Sequence, residues 1–385
     1  MGKRRRIVIV GGSIAGVYSA LLLREKHQDA DILILEKNDK LLKKIYATGN
    51  GHCNLLNLAS AGKNYNRPDF IDSAFFRHPI PSLLSFLGKY GIATRAKGDL
   101  VYPESYSAAS FCLYLEMLIR KMGIEVRLNT RIVDYDGSFV YGEGGEKYPY
   151  DHLLFCFGGK SQSRLGSDGS LFPLLLDHGY SLLPLRPGLC PIKTKQRHPR
   201  LKGVRRETEV KAETPGGLTF LEKGEVLFKD DGLSGIVIFD LASFLARSGA
   251  NAARIHLDLL PSYSCEEAVN LLKTAMAANQ RGMLLCLFEK PLAEYIASLA
   301  ENPQNPIELI RISKDLRFDF ESLYPFSDSQ VTVGGIDLGQ LDGNLKSLAE
   351  PNVSFAGECL DVDGDCGGYN LTWCLLSAFL AAEGI

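Results

Sequence analysis

Ile7-Val8-Ile9-Val10-Gly11-Gly12-Ser13-Ile14-Ala15-Gly16-Val17 decides the fold of this chain. Four consecutive apolar, β-branched residues read as a buried parallel strand. The glycines after them open a helix, predicted over residues 17–24. Asp31-Ile32-Leu33-Ile34-Leu35-Glu36 then reads as a second buried strand that ends in an acid. Strand, glycine turn, helix and strand make a βαβ unit. In the G-x-G-x-x-G register the three key positions are Gly11, Ser13 and Gly16. The first makes the tight turn and the third lets helix pack closely on strand. The second lets backbone approach a pyrophosphate lying on the helix N-terminus, and serine is small enough to keep that approach. Glu36 follows Gly16 by 20 residues, where a carboxylate accepts hydrogen bonds from ribose hydroxyls and disfavours a 2′-phosphate. The unit predicts a bound dinucleotide, FAD or NAD rather than NADP.

The 385 residues, 45% hydrophobic and 23% charged, suffice for two or three compact units. A net charge of -2 gives no global attraction for a polyanion. The nine cysteines are scattered and include no C-x-x-C pair. That spacing argues against a zinc ribbon, a thioredoxin-type motif or a secreted disulfide framework, and no metal is expected. Lys3-Arg4-Arg5-Arg6 before uncharged residues 7–23 mimics a signal peptide or a short membrane span. Gly11, Gly12 and Gly16 interrupt that stretch, and the second strand after it makes the βαβ unit the better account. The expectation is a cytoplasmic protein with no membrane partner.

Along the chain, residues 1–186 alternate short apolar runs with helical segments, including a helix over 108–122 and strands over 125–128 and 152–157. Residues 187–260 carry alternating patterns and Gly/Pro turns, an antiparallel sheet or barrel signature. Residues 261–299 read as helical, with Ser264 and Glu267 forming a capping box ahead of Leu271, Leu272 and Ala275. Residues 307–335 read as strand-like, and 371–382 as a final apolar helix. That last helix needs a partner sheet, and only the N-terminal half offers one. The fold class is therefore α/β: a Rossmann-type FAD-binding domain built from both chain ends (1–186 and 331–385). Inserted in it are a β-barrel-like module (187–260 and 306–330) and a small helical module (261–305).

Several motifs recur in one order. They are Glu36-Lys37-Asn38, then Thr48-Gly49-Asn50-Gly51-His52-Cys53-Asn54, and Leu100-Val101-Tyr102-Pro103. Gly158-Gly159-Lys160-Ser161 leads to Gly166-Ser167-Asp168-Gly169, and Gly224-Glu225-Val226-Leu227-Phe228 to Gly232-Leu233-Ser234-Gly235. The longest runs from Phe355 through Gly357-Glu358 to Trp373. This set resembles the BaiN-like (YhiN-type) FAD-dependent oxidoreductases over most of the chain. Departures are Leu42 in place of Gly, Lys43 and His52 in place of Arg, and Ser13 in place of Gly.

The resemblance implies FAD and a set of residues to hold it. Gly11, Ser13, Ile14, Ala15, Gly16, Glu36 and Lys37 belong to the ADP half. The segment from Lys44 to Asn54 runs under the pyrophosphate toward the flavin ring; on residue pattern alone it would be a solvated glycine loop. There Lys44 neutralises phosphate charge, and Thr48, Gly49, Asn50, Gly51 and Cys53 contact ribityl or ring atoms. Ile132 offers backbone to adenine, Gly158 lies beneath the dinucleotide, and Gly357 and Glu358 reach pyrophosphate and ribitol. Asp363 belongs to the same loop, while Gly368, Tyr369, Asn370 and Leu371 open a helix toward the flavin pyrimidine edge.

No catalytic side chain is evident. His52 and Cys53 are expected near the flavin, with Tyr369 and Trp373 bordering it; a packed Cys53 and a structural His52 are the plainer readings. The resemblance implies NAD(P)H as a transient electron donor and reduction of a small unsaturated or carbonyl substrate. One alternative is an oxidase of amines or aminoketones, like relatives labelled aminoacetone oxidase. Another is a flavin-bound module that acts on RNA or a protein. The basic run Arg197, Arg200, Lys202, Arg205 and Arg206 would suit nucleic acid, but a solvated strand face is the simpler reading at this net charge. Nucleic acid is therefore not expected as a partner.

Overall fold

β1 (Arg6–Val10) lies between two parallel neighbours, which is why its four apolar residues are all buried. They are β2 (Asp31–Leu35) and β4 (His152–Phe155); β3 (Glu125–Arg127) and β5 (Val353–Phe355) extend the sheet. The order is β5-β4-β1-β2-β3, all parallel. Val10 pairs with both Phe155 and Leu35, and Phe155 with Phe355. Gly11, Glu36, Cys156 and Ala356 thus emerge side by side at one carboxyl edge, where ligands of open α/β sheets bind. The computed structural model describes residues 4–385.

The first helix (Ile14–Lys26) starts earlier than its apolar pattern suggests, because Ser13 caps it. The Ser13 hydroxyl accepts from the Gly16 N–H at 3.3 Å and donates to the Cys156 carbonyl at 2.7 Å, tying helix to β4. Two glycines are obligatory here. Gly11 has φ +110°, and a Cβ on it would lie 2.4 Å from the Cys156 oxygen. A Cβ on Gly16 would lie 2.1 Å from the Gly11 oxygen. The terminal helix (Tyr369–Gly384) is almost wholly apolar and packs along the first.

The chain divides into two compact units, Met1–Arg186 with Gln330–Ile385, and Pro187–Ser329. The second contains a closed barrel of the strands Ile192–Thr194, Gly232–Ser234, Thr219–Phe228, Arg205–Glu213, Arg254–Asp258 and Leu316–Leu323, in that neighbour order. Its hydrophobic core also takes in Ala268, Leu272, Leu292 and Ile296 from the helical stretch. The capping box on Cys265–Ala278 forms as expected, with Ser264 and Glu267 bonded reciprocally.

Two segments depart from the strand expectations. Ile236–Ser248 is a helix inside the stretch read as β-rich. Its β-branched start imitates a strand, but Leu241, Ala242, Leu245 and Ala246 bury one helical face. Pro306–Lys314, within the stretch read as strand-like, is also a helix. Asn305 caps it through the amides of Ile307 and Glu308, and Pro306 occupies the first turn, where its missing N–H costs nothing. No helix among the described residues is long and apolar enough to cross a membrane.

His152 sits inside this sheet, 2% exposed, with Nε2 at 2.9 Å from the Ser354 hydroxyl. Burial pushes its pKa down to about 3. The folded chain therefore holds it neutral, while the unfolded chain titrates near the ordinary value of about 6.5. Its contribution is present above that value and is lost as pH falls toward 3. Urea denaturation at pH 7 and pH 4.5 should show a loss of stability that His152→Asn reduces. An equal loss in both proteins would rule out this burial effect. Gly16→Ala, which meets backbone rather than a flexible side chain, should cost about 1–3 kcal/mol by the same measurement.

Candidate functional site

The carboxyl edge of the sheet brings open backbone amides and a buried carboxylate together. Amides of the first turn of the helix, at Ile14 and Ala15, have no intrahelical acceptors and carry the positive end of the helix dipole. Glu36, 7% exposed, is held in place through both oxygens. One accepts from the Gly12 N–H at 2.7 Å, the other from the Asn38 N–H at 2.8 Å. The Asn38 side-chain amide also donates to that second oxygen, at 2.5 Å, so three of about four acceptor positions are filled and one is left for a hydroxyl. Lys37 is engaged elsewhere, in an ion pair with Asp168. Thr130 N–H donates to the Glu36 carbonyl at 2.9 Å, two residues before the buried Ile132.

The C-terminal segment meets this edge at Gly357. Its φ is +84°, its N–H donates to the Ser377 hydroxyl at 2.9 Å, and a Cβ on it would lie 2.8 Å from that of Ala15. Trp373 was expected to border the flavin. Instead it is 1% exposed, and its indole N–H donates to the Gly357 carbonyl at 3.2 Å, so it packs beneath the turn. Glu358 bonds the Thr332 N–H at 3.0 Å with one oxygen and Lys44 at 2.7 Å with the other. Lys44 and Glu358 are both partly exposed, so this pair lies at the surface of the edge. The Thr332 hydroxyl in turn accepts from the Lys160 amide at 2.7 Å, fixing the turn that follows Gly158.

The glycine segment after Lys44 keeps an irregular backbone. Gly49, Asn50, Gly51 and Cys53 all have positive φ, and space around Gly51 is open. The Thr48 hydroxyl closes the turn on the Ile45 carbonyl at 2.8 Å. Cys53 is fully buried, and burial pushes its thiol up to about 12, so this segment offers backbone there rather than a thiolate. Burial likewise raises Cys112 and Cys374 to about 12, and Cys156 and Cys359 further. His52 is pinned: its ring stacks on Tyr106 at 4.0 Å, and Nδ1 lies 2.9 Å from the Tyr106 carbonyl.

Residues 54–67 brace the terminal loop, a role that local sequence does not signal. The Asn66 side chain accepts from the Asp363 N–H at 3.0 Å, while the Asp363 carbonyl accepts from the Asn66 N–H at 3.1 Å. Arg67 pairs with Asp361, whose side chain is 5% exposed. Asp363 is 1% exposed, so its place in the site is through backbone. Asn370 is occupied in closing the loop: its side chain accepts from the Gly364 N–H and donates to the Gly364 carbonyl, both at 2.9 Å. The amides of Gly367, Gly368, Tyr369 and Leu371 stand at a half-exposed helix start, where the Asn54 oxygen accepts from the Gly368 N–H at 3.2 Å once its amide is turned to satisfy both ends.

These residues fit FAD. The bare backbone at Gly51, the open helix N-termini and the ribose acid match the two ends of a dinucleotide. The sequence profile of the HI0933-like protein Rossmann domain matches residues 5–384. The chain belongs to this family. A 3-dehydro-bile acid delta(4,6)-reductase of Clostridium scindens is 31% identical over 98% of each chain. A ribosomal RNA dihydrouridine synthase of Escherichia coli is 25% identical, over 98% of this chain and 96% of its own. In fold, the chain is similar to a 3-ketosteroid delta1-dehydrogenase from Sterolibacterium denitrificans, with a TM-score of 0.50 and 11% identity over 98% of each chain. This member of the HI0933-like family is an FAD-dependent oxidoreductase.

Replacing Arg67 by Met strips the buried Asp361 carboxylate of its guanidinium partner. The variant should lose about 1–3 kcal/mol of stability in denaturant titration and retain less flavin on gel filtration. Cys53 should resist a thiol reagent at pH 8, where the exposed Cys265 reacts. Peptide mapping after a timed pulse reads both.

Proposed function

We propose that the protein uses bound FAD to carry hydride from NAD(P)H to a carbon–carbon double bond conjugated with a carbonyl in a small molecule. One observation carries this reading: two relatives that match nearly end to end are named for the same chemistry. A delta(4,6)-reductase of a 3-dehydro-bile acid saturates double bonds conjugated with a 3-oxo group. Making dihydrouridine saturates the uracil double bond next to its carbonyl. The chain has one dinucleotide fingerprint, which FAD occupies, so NAD(P)H visits the open face transiently.

FAD, when bound, supplies the hydride chemistry. Residues of the chain then have three tasks: to orient the acceptor, to stabilise charge on its carbonyl oxygen, and to deliver a proton to the neighbouring carbon. His52 is the group we assign to the proton. The Tyr106 carbonyl can only accept, so His52 Nδ1 carries a hydrogen; Nε2 delivers a proton to the acceptor from the doubly protonated ring, which takes that proton from solvent and is left neutral after the transfer. The stack on Tyr106 fixes the plane of the ring. Where the family usually carries arginine, this chain has a side chain that can give up its proton.

A second reading, in which the acceptor is a uridine within RNA, draws on the dihydrouridine relative. The basic run argues for the smaller substrate. Arg197 pairs with Glu321, Lys202 with Asp230 and Arg205 with Glu225, and the Arg206 Nε donates to the Leu259 carbonyl at 3.0 Å. Charge already neutralised within the chain attracts phosphate weakly.

Anaerobic stopped-flow spectroscopy separates the readings. NADH or NADPH should bleach the flavin, and a cyclic enone should restore it faster than a uridine-containing oligonucleotide. Restoration by RNA alone would favour the second reading. Bleaching by an aminoketone but not by NAD(P)H would overturn the proposal. His52→Gln should slow reoxidation by about 10² while leaving reduction intact.

A further inference from the structure

Ser167 has a buried hydroxyl for which the described residues supply no hydrogen-bond partner. It is 5% exposed, deep enough that leaving a hydroxyl unsatisfied is costly. Ser19 and Ser60 share this state, but Ser19 lies midway along the first helix and Ser60 in the segment that braces the terminal loop.

The position of Ser167 says what would satisfy it. Its neighbours on either side are fastened to the end of β2. A Cβ on Gly166 would lie 2.4 Å from the Asn38 amide nitrogen, and Asp168 is paired with Lys37. The Ser167 hydroxyl itself faces the end of β4, 3.4 Å from where a Cβ on Gly158 would stand. Gly158 has φ +80° and no side chain, so nothing of its own covers that face. Since β1 lies between β2 and β4, residues 166–168 cross over the carboxyl end of β1. There the Gly11–Gly12 turn leads into the open amides of the first helix. A hydroxyl on this crossing lies on the same carboxyl edge of the sheet as the helix N-terminus.

We infer that Ser167 is a ligand of the FAD pyrophosphate, donating its hydroxyl hydrogen to a phosphate oxygen. Ion pairing of Asp168 with Lys37 and contact of Gly166 with Asn38 make the loop a clamp. The residues that position the ribose acid also position this donor. Asp168 is held ionised: although burial opposes this, the Lys37 hydrogen bond pulls its carboxyl below the ordinary range.

The test compares wild-type full-length protein with Ser167→Ala, with Ser167→Cys as a variant of equal bulk and weak donor strength. Thermal stability is measured after flavin removal, and affinities for FAD, ADP and adenosine by isothermal titration. Hydrogen bonds to charged acceptors predict roughly tenfold weaker FAD and ADP binding, with adenosine unchanged. The flavin-free variants should be as stable as wild type or more so, because an unsatisfied hydroxyl has been removed. A flavin-free variant that loses stability while keeping full FAD affinity would make Ser167 structural and overturn the inference. So would FAD binding that weakens while ADP binding does not.

Discussion

Gly357 is the point at which the two ends of the chain become one site. Its N–H and carbonyl are taken by Ser377 and Trp373 of the terminal helix, and its missing side chain lets Ala15 of the first helix approach. Any side chain there would push apart the two helices whose packing closes the crevice. β5 pairs with β4, the terminal helix lies on the first, and Glu358 is delivered opposite Lys44 as a consequence. FAD bound across this junction would link residues more than 300 positions apart and so couple cofactor binding to closure of the fold.

A second consequence is that the polar work is done by backbone and fixed carboxylates while the thiols are withdrawn. Four buried cysteines and the half-buried Cys374 surround the first helix and the ends of the strands, and removal from water keeps each as a neutral thiol. A reduced flavin beside reactive thiolates would invite side reactions. This arrangement avoids them and leaves His52, held by Tyr106, as the titratable ring in the glycine segment.

What the sequence revealed, and what it concealed, follows from the range of the interactions. The βαβ fingerprint was legible because its determinants are local: a tight turn at Gly11, close packing at Gly16 and an acid at the end of β2. Helices Ile236–Ser248 and Pro306–Lys314 were hidden by β-branched and apolar runs whose burial depends on the barrel they pack against. The braces Arg67–Asp361 and Asn66–Asp363 join segments nearly 300 residues apart, and neither carries a local signature. Trp373 shows the same limit: its motif was recognisable, but only packing shows that the indole holds up Gly357 rather than facing the ligand. Ser167 needed both the sheet order and the absence of a partner.

Hydrogen–deuterium exchange with and without FAD tests most directly whether one dinucleotide is held by both chain ends. Peptides covering 11–16, 36–54 and 355–371 should gain protection together at one equivalent of FAD per chain, while barrel peptides from 205–228 stay unchanged. Protection confined to the N-terminal peptides, with 355–371 exchanging as freely as before, would contradict the account.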